Sequence, residues 1–561
     1  MSIEIQSDIR VVVSIDFGTT FSGYAYAHKE NPKNITVQSE WETTGASFKT
    51  PTVIKYEDDS YTKISSWGFP ALAEKPVKKK KTKTSSKPIE LFKLHLVKSL
   101  EKKPFLPKDL NYKNVIRDYL KKLGDHIKES LERHWRNVDF YKHVLIVLTV
   151  PAEFDDKAIE TFRECAINAG LLKDKYNTNN LKFTTEPEAA AICCLNPTTR
   201  EEHHLTTGDS FMIVDCGGGT VDLTTRELLE DERLSEITER SGDYCGSSFI
   251  DQAFLEFVEE KVGKAAIELV KNNHYSQLQY CVQAFCKQVK IPFTGDDSNP
   301  GEDLDLEELL PAIQQYVTGE EKNRMEEEEW LIKLSFEDIK GMFDPVIDKI
   351  INLIKDQLDK NEKGCSTMFL VGGFSESKYL QTRIKEEFGE IVPNISVPPQ
   401  PITSVVKGGV LYGLKEKTVK DRILKRTYGT EIVRRWKQPD PLSERLPNGL
   451  TVAFERLAQR GARLPRDNKF TKKFKPLSLL QQKINFDLYA TEGSDAKFCE
   501  DPGVSKLHNW EIELPENENL EDTTILFTLS KRVKNISVKS NMNKFIIKSI
   551  ILVLLFNNRK L

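Results

Sequence analysis

Two short glycine-containing turns with the same residue order place the strongest constraint on the fold of this chain. The first is Asp16-Phe17-Gly18-Thr19-Thr20, and the second is Asp215-Cys216-Gly217-Gly218-Gly219-Thr220. Each follows an apolar run typical of a buried strand, and each leads into another strand-like run. One glycine turn between two strands is usually only a turn. Because the order of strand, aspartate, glycine turn, hydroxyl residue and strand occurs twice, it predicts a duplicated unit.

The residue types in both turns suit a phosphate group and a divalent metal ion. Glycine allows backbone N–H groups to approach a ligand closely, and concave runs of N–H groups bind anions. The aspartates would repel phosphate, but their carboxylates suit a Mg²⁺ ion that bridges phosphate oxygens. Two such turns facing each other therefore predict a metal–nucleotide clamp between the halves of a duplicated core.

Length and charge limit the class of protein. The chain has 561 residues, so we expect about two to four domains. Charged residues make up 30% of the chain but the net charge is only −4, which gives no reason to expect a nucleic-acid partner. The basic run 78–83 favours a solvated loop, with a nuclear-import or anionic-surface patch as the alternative.

Cysteine usage and the apolar runs indicate the compartment. The nine cysteines include no Cys-x-x-Cys pair, which argues against zinc and against the disulfide framework of a secreted protein. No apolar stretch precedes Val11, so no signal peptide is predicted. The apolar run 545–556 is too short for a membrane-spanning helix. We therefore expect a cytoplasmic protein, with the nucleus as an alternative, and no membrane span.

Hydrophobic periodicity predicts alternating strands and helices up to about residue 420. Strands are predicted at 144–150, 181–185 and 367–371, and helices at 111–138, 155–169, 188–195 and 334–358. Residues 295–330 are polar, acidic and rich in turn residues, and we interpret them as an insertion or flexible lobe. After residue 420, short strand-like runs between polar turns predict a small antiparallel β domain.

Several segments, in the same order along the chain, resemble motifs of the 70-kDa heat-shock protein family within the actin-like ATPase superfamily. Residues 11–27 and 213–225 resemble the two phosphate loops, and 185–191 resembles the Glu-Pro-x-Ala-Ala-Ala motif. Residues 369–375 resemble the adenosine loop, and 405–413 resemble the second connecting segment. The match covers about residues 10–420. Within the family, the sequence of these segments is most similar to the divergent heat shock 70 kDa protein 12-like branch.

The resemblance implies an α/β fold: a duplicated ribonuclease H-like (actin-like ATPase) two-lobed domain, followed by a small antiparallel β domain. The implied domains are a first lobe at 1–200, a second lobe at 201–420, a β-rich, substrate-binding-like domain at 421–535 and a tail of uncertain structure at 536–561.

The resemblance also implies roles for particular residues. Asp16 and Asp215 would hold Mg²⁺ through water, Asp222 or Thr19 would position the attacking water, and Glu186 would couple the site to the lobes. The implied catalytic set is Asp16, Glu186, Asp215, Thr220 and Asp222. The implied nucleotide-binding set is Gly18, Thr19, Thr20, Gly217, Gly218, Gly219, Gly242, Gly246, Lys287, Lys290, Gly372, Gly373 and Ser375.

The chain departs from the family pattern at three places. The segment from Gly68 to Leu72 has no lysine in the expected register, and Lys75 lies three residues beyond Leu72, which weakens the expectation of hydrolysis but not of binding. Only lysines remain near 285–290, where the family also has a glutamate. No acidic–hydrophobic linker follows Gly413, and no long C-terminal helical lid is predicted.

Three functions stay open from the sequence. The first is a slow chaperone-like ATPase that uses ATP, ADP and Mg²⁺ and binds unfolded-protein clients. The second is a nucleotide-gated scaffold that hardly hydrolyses ATP and acts through regulatory protein partners. The third is a small-molecule kinase of the same superfamily, which the motif order disfavours. A Walker-type NTPase is excluded because Gly263-Lys264 is followed by Ala265 and lacks the preceding glycine spacing.

Overall fold

The computed structural model describes most of the chain, in segments separated by gaps. The described residues are 8–42, 46–76, 87–97, 100, 103–173, 180–230, 232–296, 302–415, 418–465, 469–474, 483–513, 523–530, 534–540, 543–545 and 549–550. The basic run 78–83 and most of the apolar run 545–556 lie outside these residues. The chain forms two compact units: 1–152, 161–225 and 241–416 in the first, and 153–160, 226–240 and 417–561 in the second.

The first sheet is built around a strand that ends at the first glycine turn. The elements up to residue 202 are β1 (Val11–Asp16), β2 (Phe21–His28), β3 (Thr36–Val37), β4 (Thr50–Pro51), β5 (Ile54–Tyr56), β6 (Ile64–Trp67), α1 (Tyr112–His134), α2 (Phe140–His143), β7 (Val144–Val150), α3 (Asp156–Asn168), β8 (Leu181–Thr185), α4 (Glu186–Cys194) and α5 (Pro197–Glu202). The strand order is β3-β2-β1-β7-β8, with β4 on β2. β1 is antiparallel to β2 and parallel to β7, and β1 and β7 are buried along their whole length, as parallel strands covered on both faces are.

A second sheet follows the same order. The next elements are β9 (Ser210–Cys216), β10 (Val221–Leu228), β11 (Leu234–Glu236), β12 (Ser241–Asp243), α6 (Ser248–Val262), α7 (Lys264–Asn273), α8 (Tyr275–Phe285), β13 (Glu302–Asp305), α9 (Leu306–Leu309), α10 (Gly319–Glu327), β14 (Leu331–Leu334), α11 (Phe336–Asp359), β15 (Thr367–Val371), α12 (Lys378–Phe388), β16 (Asn394–Ser396) and α13 (Ser404–Leu414). The strand order is β11-β10-β9-β15-β16, with β12 on β10. In both sheets a strand carrying an aspartate at or near its end lies between the strand that follows the glycine turn and a parallel strand. Descent of the two sheets from one duplicated unit stays a prediction.

Helices α4 and α13 cross at very short range because glycines lie at the contact. A Cβ atom added at Gly408 would overlap the backbone oxygen of Ala189. Added at Gly413, it would overlap the side chain of Val12 on β1. This close crossing fixes α4, which begins at Glu186, against the first sheet.

Residues 295–330 were interpreted as an insertion or flexible lobe, and the flexible alternative is wrong because most of the described residues form regular structure, whereas an insertion stays a prediction. Residues 302–305 pair with β14, and α9, a 3₁₀ turn at Pro311–Gln315 and α10 follow. Leu304, Leu306, Leu310, Ile313 and Met325 are buried in the same core as the second sheet. The prediction was wrong because acidic residues on the outer face lower the average hydropathy and conceal the buried apolar positions.

Other local predictions agree with the structure. The strands predicted at 144–150, 181–185 and 367–371 are confirmed residue for residue. The helix predicted at 111–138 begins one residue later, because Asn111 caps it by accepting a hydrogen bond from Lys113 N, and ends at His134. No helix in the described segments is both long and apolar enough to cross a membrane.

The second unit contains antiparallel strands. They are β17 (Asp421–Ile423), β18 (Thr427–Arg435), β19 (Leu450–Ala458), β20 (Arg463–Pro465), β21 (Lys469–Phe474), β22 (Lys483–Thr491), β23 (Ser505–Glu513), β24 (Thr523–Ser530), β25 (Lys534–Ser540), β26 (Asn543–Phe545) and β27 (Ser549–Ile550). One sheet has the order β19-β18-β22-β23. The protein is therefore mixed α/β with several sheets, and a separate β domain at 421–535 stays a prediction.

Candidate functional site

A cavity of about 570 Å³ in the first unit is lined by both glycine turns. The predicted site residues that line it are Asp16, Gly18, Thr19, Thr20, Glu186, Asp215, Gly217, Gly218, Gly219, Thr220, Lys287, Lys290, Gly372 and Gly373. Four predicted residues are not part of this lining: Asp222, Gly242, Gly246 and Ser375.

The two turns touch each other at this cavity. A Cβ atom added at Gly218 would overlap Thr20 Oγ1, and one added at Gly219 would overlap Thr19 Oγ1. Residues about 200 positions apart in the sequence are therefore in contact, and only glycine leaves room for that contact. The structure brings together the two motifs that the sequence singled out.

Backbone hydrogen bonds engage the carbonyl groups of both turns and leave amide groups available. Thr52 Oγ1 donates to Gly18 O at 2.9 Å, and Ser248 N donates to Gly218 O at 2.8 Å. Within the described part of the chain, no backbone carbonyl accepts a hydrogen bond from the amide N–H of Gly18, Thr19, Gly218 or Gly219. Amides that border a cavity without a backbone partner suit an anion such as phosphate.

Two buried ion pairs bring lysines into the cavity. Lys49 Nζ lies 2.5 Å from Asp16 Oδ2, and Lys93 Nζ lies 2.8 Å from Glu186 Oε1. The sequence analysis missed both lysines. The clearest signal was Lys93, a charged residue directly flanked by Phe92 and Leu94, because a buried lysine is rare without a charged partner.

The carboxylates of the site are crowded and desolvated. Burial raises the pKa of Asp215 well above its usual value, and the nearby carboxylates of Glu186, Asp222 and Asp16 raise it further. Burial also raises the pKa of Glu186, against the opposing effect of Lys93. Burial alone would lower the pKa of Lys49, but Asp16, Asp215 and Glu186 raise it above its ordinary value. The cluster therefore has an excess of carboxylates, which a divalent cation would neutralise.

The arrangement fits magnesium held through water better than magnesium held directly. Among the described residues, no group of three or more His, Cys, Asp and Glu side chains could hold a metal ion. Asp16 and Asp215 both line the cavity, and Mg²⁺ usually keeps several waters and takes only one or two carboxylates from a protein. These two residues would hold the ion on either side of the touching turns.

Asp222, Gly242 and Gly246 lie behind the cavity lining and support it. Asp222 is buried on β10, where it accepts a hydrogen bond from Ala152 N at 2.6 Å, and it lies opposite Gly242 on β12. A Cβ atom added at Gly246 would come within 2.5 Å of the backbone C and O atoms of Gly218. These positions therefore hold the second turn in place.

The turn after β15 also approaches the carboxylate cluster. Gly372 has a φ of 85°, and a Cβ atom there would lie 2.5 Å from Asp215 Oδ1. Gly373 follows it in the cavity wall. Ser375 is fully buried and its Oγ donates to Val371 O at 2.5 Å, so its hydroxyl stabilises the turn itself.

A π-helical turn at Cys286–Lys290 brings two predicted lysines to the cavity. Turns of this kind are frequent at functional sites. Lys290 Nζ lies 2.5 Å from Asp251 Oδ1 and donates to Ser247 O at 3.0 Å, whereas Lys287 is exposed. The nearby wall is apolar and is lined by Val282, Ile291, Phe343, Phe374 and Ile402. An apolar wall with a few polar groups suits a planar base.

We expect Asp215→Asn to raise the unfolding temperature of the ligand-free protein by roughly 5 °C near neutral pH. The pKa of Asp215 is higher in the folded protein than its ordinary value of 3.8. Its ionised form therefore costs stability as pH rises above 3.8 toward the folded-state pKa. Thermal unfolding at about pH 7 and about pH 4 should show a gain that disappears at the lower pH. Asp356→Asn, on the exposed face of α11, is the control, and a lower unfolding temperature for Asp215→Asn would contradict the prediction.

Comparison with known proteins identifies relatives along nearly the whole chain. Heat shock 70 kDa protein 12A of Homo sapiens is 26% identical over an alignment of 598 positions, gaps included. The alignment covers 91% of this chain and 86% of that protein. Heat shock 70 kDa protein 12B of Homo sapiens is 25% identical over 599 residues, covering 92% and 86%. Chaperone protein DnaK of Anaplasma marginale (strain St. Maries) is 26% identical over 298 residues, covering 51% and 40%. No family model matches the chain. The relatives confirm the resemblance drawn from the motifs: over nearly its whole length the chain is similar to the heat shock 70 kDa protein 12-like branch of the 70-kDa heat-shock protein family.

Proposed function

We propose that the protein binds ATP and ADP with Mg²⁺ in the cavity of the first unit and hydrolyses ATP slowly to drive motion between two lobes. One observation carries the proposal: two matching turns touch, and amide groups without a backbone acceptor meet buried carboxylates at their contact. Similarity to the 70-kDa heat-shock proteins, which implies a two-lobed actin-like ATPase fold, supports it. The repeated strand order supports duplication of one unit, with lobes at 1–200 and 201–420.

The residues of the site have distinct roles in this proposal. The amides of Gly18, Thr19, Gly218 and Gly219 bind the β- and γ-phosphates. Asp16 and Asp215 would hold Mg²⁺ through water, and the ion would supply positive charge to the phosphate oxygens. Asp222 or the hydroxyl of Thr19 or Thr220 orients the attacking water, and Glu186 at the start of α4 links the site to the lobes. Such catalysis consists of positioning and electrostatic stabilisation, without a covalent enzyme intermediate.

Two functions differ in what nucleotide binding at this site would control: a chaperone and a scaffold. In the first case the strands at 421–535 form a domain that binds unfolded-protein clients, and lobe motion gates that binding. In the second the protein binds nucleotide, hardly hydrolyses it and acts through regulatory partners. The second candidate is favoured by one observation: Leu72 lines the cavity after Gly68, whereas Lys75 is exposed and pairs with Glu308.

A two-stage assay tests the proposal. We expect ADP and ATP with Mg²⁺, at about 100 times their Kd, to stabilise the protein by about 2.7 kcal/mol, a rise of about 3 °C in unfolding temperature. Asp16→Ala and Gly218→Val should each remove this shift, whereas the exposed Asp356→Ala should keep it. Phosphate release is then measured with and without an unfolded peptide. Release stimulated by peptide identifies the chaperone, and stabilisation without release identifies the scaffold.

Retention of the full shift by both Asp16→Ala and Gly218→Val would show that the assignment of the site is wrong. Phosphate transfer that requires a sugar or polyol would instead identify the small-molecule kinase that the sequence left open.

A further inference from the structure

We propose that Lys49 supplies the positive charge that meets the terminal phosphate of a nucleoside triphosphate, and so sets the preference of the site for ATP over ADP. The inference rests on the proposed function, since it names the group that distinguishes two ligands of the same cavity. It assigns a role to a residue that no motif in the sequence singled out.

The segment after Gly68 offers no cation to the cavity. A 3₁₀ turn at Phe69–Ala71 follows Gly68, and it is Phe69 and Leu72 that line the cavity wall. Lys75 is half-exposed, does not belong to the lining and pairs with Glu308. Any lysine that meets the terminal phosphate in this cavity therefore lies in another part of the chain.

Lys49 directly precedes β4, and its side chain lines the cavity. Neighbouring residues fix the direction of this side chain. A Cβ atom added at Gly23 would lie 3.0 Å from Lys49 Cγ and 2.9 Å from Phe48 O, so glycine leaves the space that the lysine stem occupies. Ser47 Oγ donates to Lys49 O at 2.8 Å, and Trp41 Nε1 donates to Ser47 O at 2.7 Å. The backbone of Lys49 is thus held from one side while its side chain is directed to Asp16.

The position of the ammonium group favours the terminal phosphate. Lys49 Nζ lies 2.5 Å from Asp16 Oδ2, and its side chain is 11% exposed. Asp16 directly precedes the first turn and is one of the carboxylates proposed to hold Mg²⁺ and its waters. An ammonium has three N–H donors, so it can keep Asp16 and still donate to a phosphate oxygen. Since ADP lacks the phosphate that reacts beside this cluster, Lys49 has a partner in ATP that is absent in ADP.

Lys93 is less suited to this role. Its Nζ lies 2.8 Å from Glu186 and 6.0 Å from the ring centre of Phe17, and its side chain is only 4% exposed. Its carboxylate partner is at the first residue of α4 rather than beside a glycine turn. Lys93 therefore serves to neutralise Glu186, and its loss should affect both nucleotides alike.

Calorimetric titration of the full chain with ATP and with ADP, each with Mg²⁺, tests the proposal. We expect Lys49→Met to weaken ATP binding by about 10- to 100-fold and ADP binding by less than about 3-fold, which is the effect of losing one charge-assisted hydrogen bond to the terminal phosphate. Lys49→Arg should keep most of the preference for ATP, and Lys75→Met should change neither affinity. Leu72→Lys in the Lys49→Met background should restore part of the ATP affinity by returning a cation to the same cavity.

Lys49→Met leaves the carboxylate of Asp16 buried without its lysine, which could prevent folding. A second pair of variants therefore tests the same inference without an unpaired buried carboxylate at residue 16. Asp16→Asn/Lys49→Met removes both charges together, and its ratio of ATP to ADP affinity should be lower than that of Asp16→Asn alone. Equal losses for ATP and ADP on removal of Lys49, or no loss for either, would overturn the inference while nucleotide binding by the unmodified protein upholds the proposed function. Failure of the unmodified protein to bind either nucleotide would overturn both.

Discussion

Gly246→Ala should abolish most nucleotide binding while the rest of the fold stays in place. The added Cβ atom would lie 2.5 Å from the C and O atoms of Gly218 and 2.6 Å from Gly219 N. These are backbone atoms, so no side-chain rotation relieves the overlap, and the second glycine turn must move. A displacement of about 1 Å at a positioned site costs on the order of 100-fold, so we expect Kd for ADP and ATP to rise by about that factor.

The hydrogen bonds around Gly246 explain why the damage would be directed at the turn. Gly246 N donates to Gly219 O at 3.3 Å, and Ser248 N donates to Gly218 O at 2.8 Å. Moving this segment away from the turn would break both bonds and release the turn carbonyls. Calorimetric titration with nucleotide, with circular dichroism as a check on folding, measures the effect. Normal affinity in a folded Gly246→Ala protein would show that the second turn does not bind phosphate.

Gly408→Ala should produce the largest loss of stability of any single methyl added to this chain's helices. The Cβ atom would overlap the backbone oxygen of Ala189, where α13 crosses α4. The two helices must separate, and overpacking of this kind costs about 3 kcal/mol or more. We expect the unfolding temperature of the first unit to fall by about 4 °C or more, measured by calorimetry.

Gly341→Ala is a matched control for both variants. Gly341 lies inside α11, and no atom lies within 4 Å of the position that its Cβ would take. The same chemical change there should stabilise the protein by about 0.5–1 kcal/mol, because alanine loses less backbone entropy than glycine in a helix. Nucleotide affinity should not change. Similar unfolding temperatures for Gly408→Ala and Gly341→Ala would contradict the close crossing of α4 and α13.

Local patterns in the sequence predicted much of the architecture. The strands at 144–150 and 367–371 are uninterrupted apolar runs, and such runs identify parallel strands buried on both faces. The helix start at Asn111 follows from its capping side chain. Residues 302–327 were misjudged, since their fold depends on a few buried apolar side chains and not on their acidic composition.

The candidate site was predictable to the extent that its chemistry is local. The aspartate and glycine residues of each turn are adjacent in the chain, so the sequence alone indicates phosphate and metal. Lys49 and Lys93 are not close in sequence to their carboxylate partners. They are 33 and 93 residues away from Asp16 and Glu186 along the chain. Neither spacing nor composition relates such pairs.

The residue order along the chain accounts for the paired turns, the strands that carry them and the resemblance to the 70-kDa heat-shock proteins, because each depends on neighbouring residues. Folding decided which lysine meets Asp16, which glycines serve as contact points between elements and which site residues line the cavity. The reason is physical: a buried charge selects its partner by distance in space, and a glycine is indispensable only where another backbone comes too close for a Cβ atom.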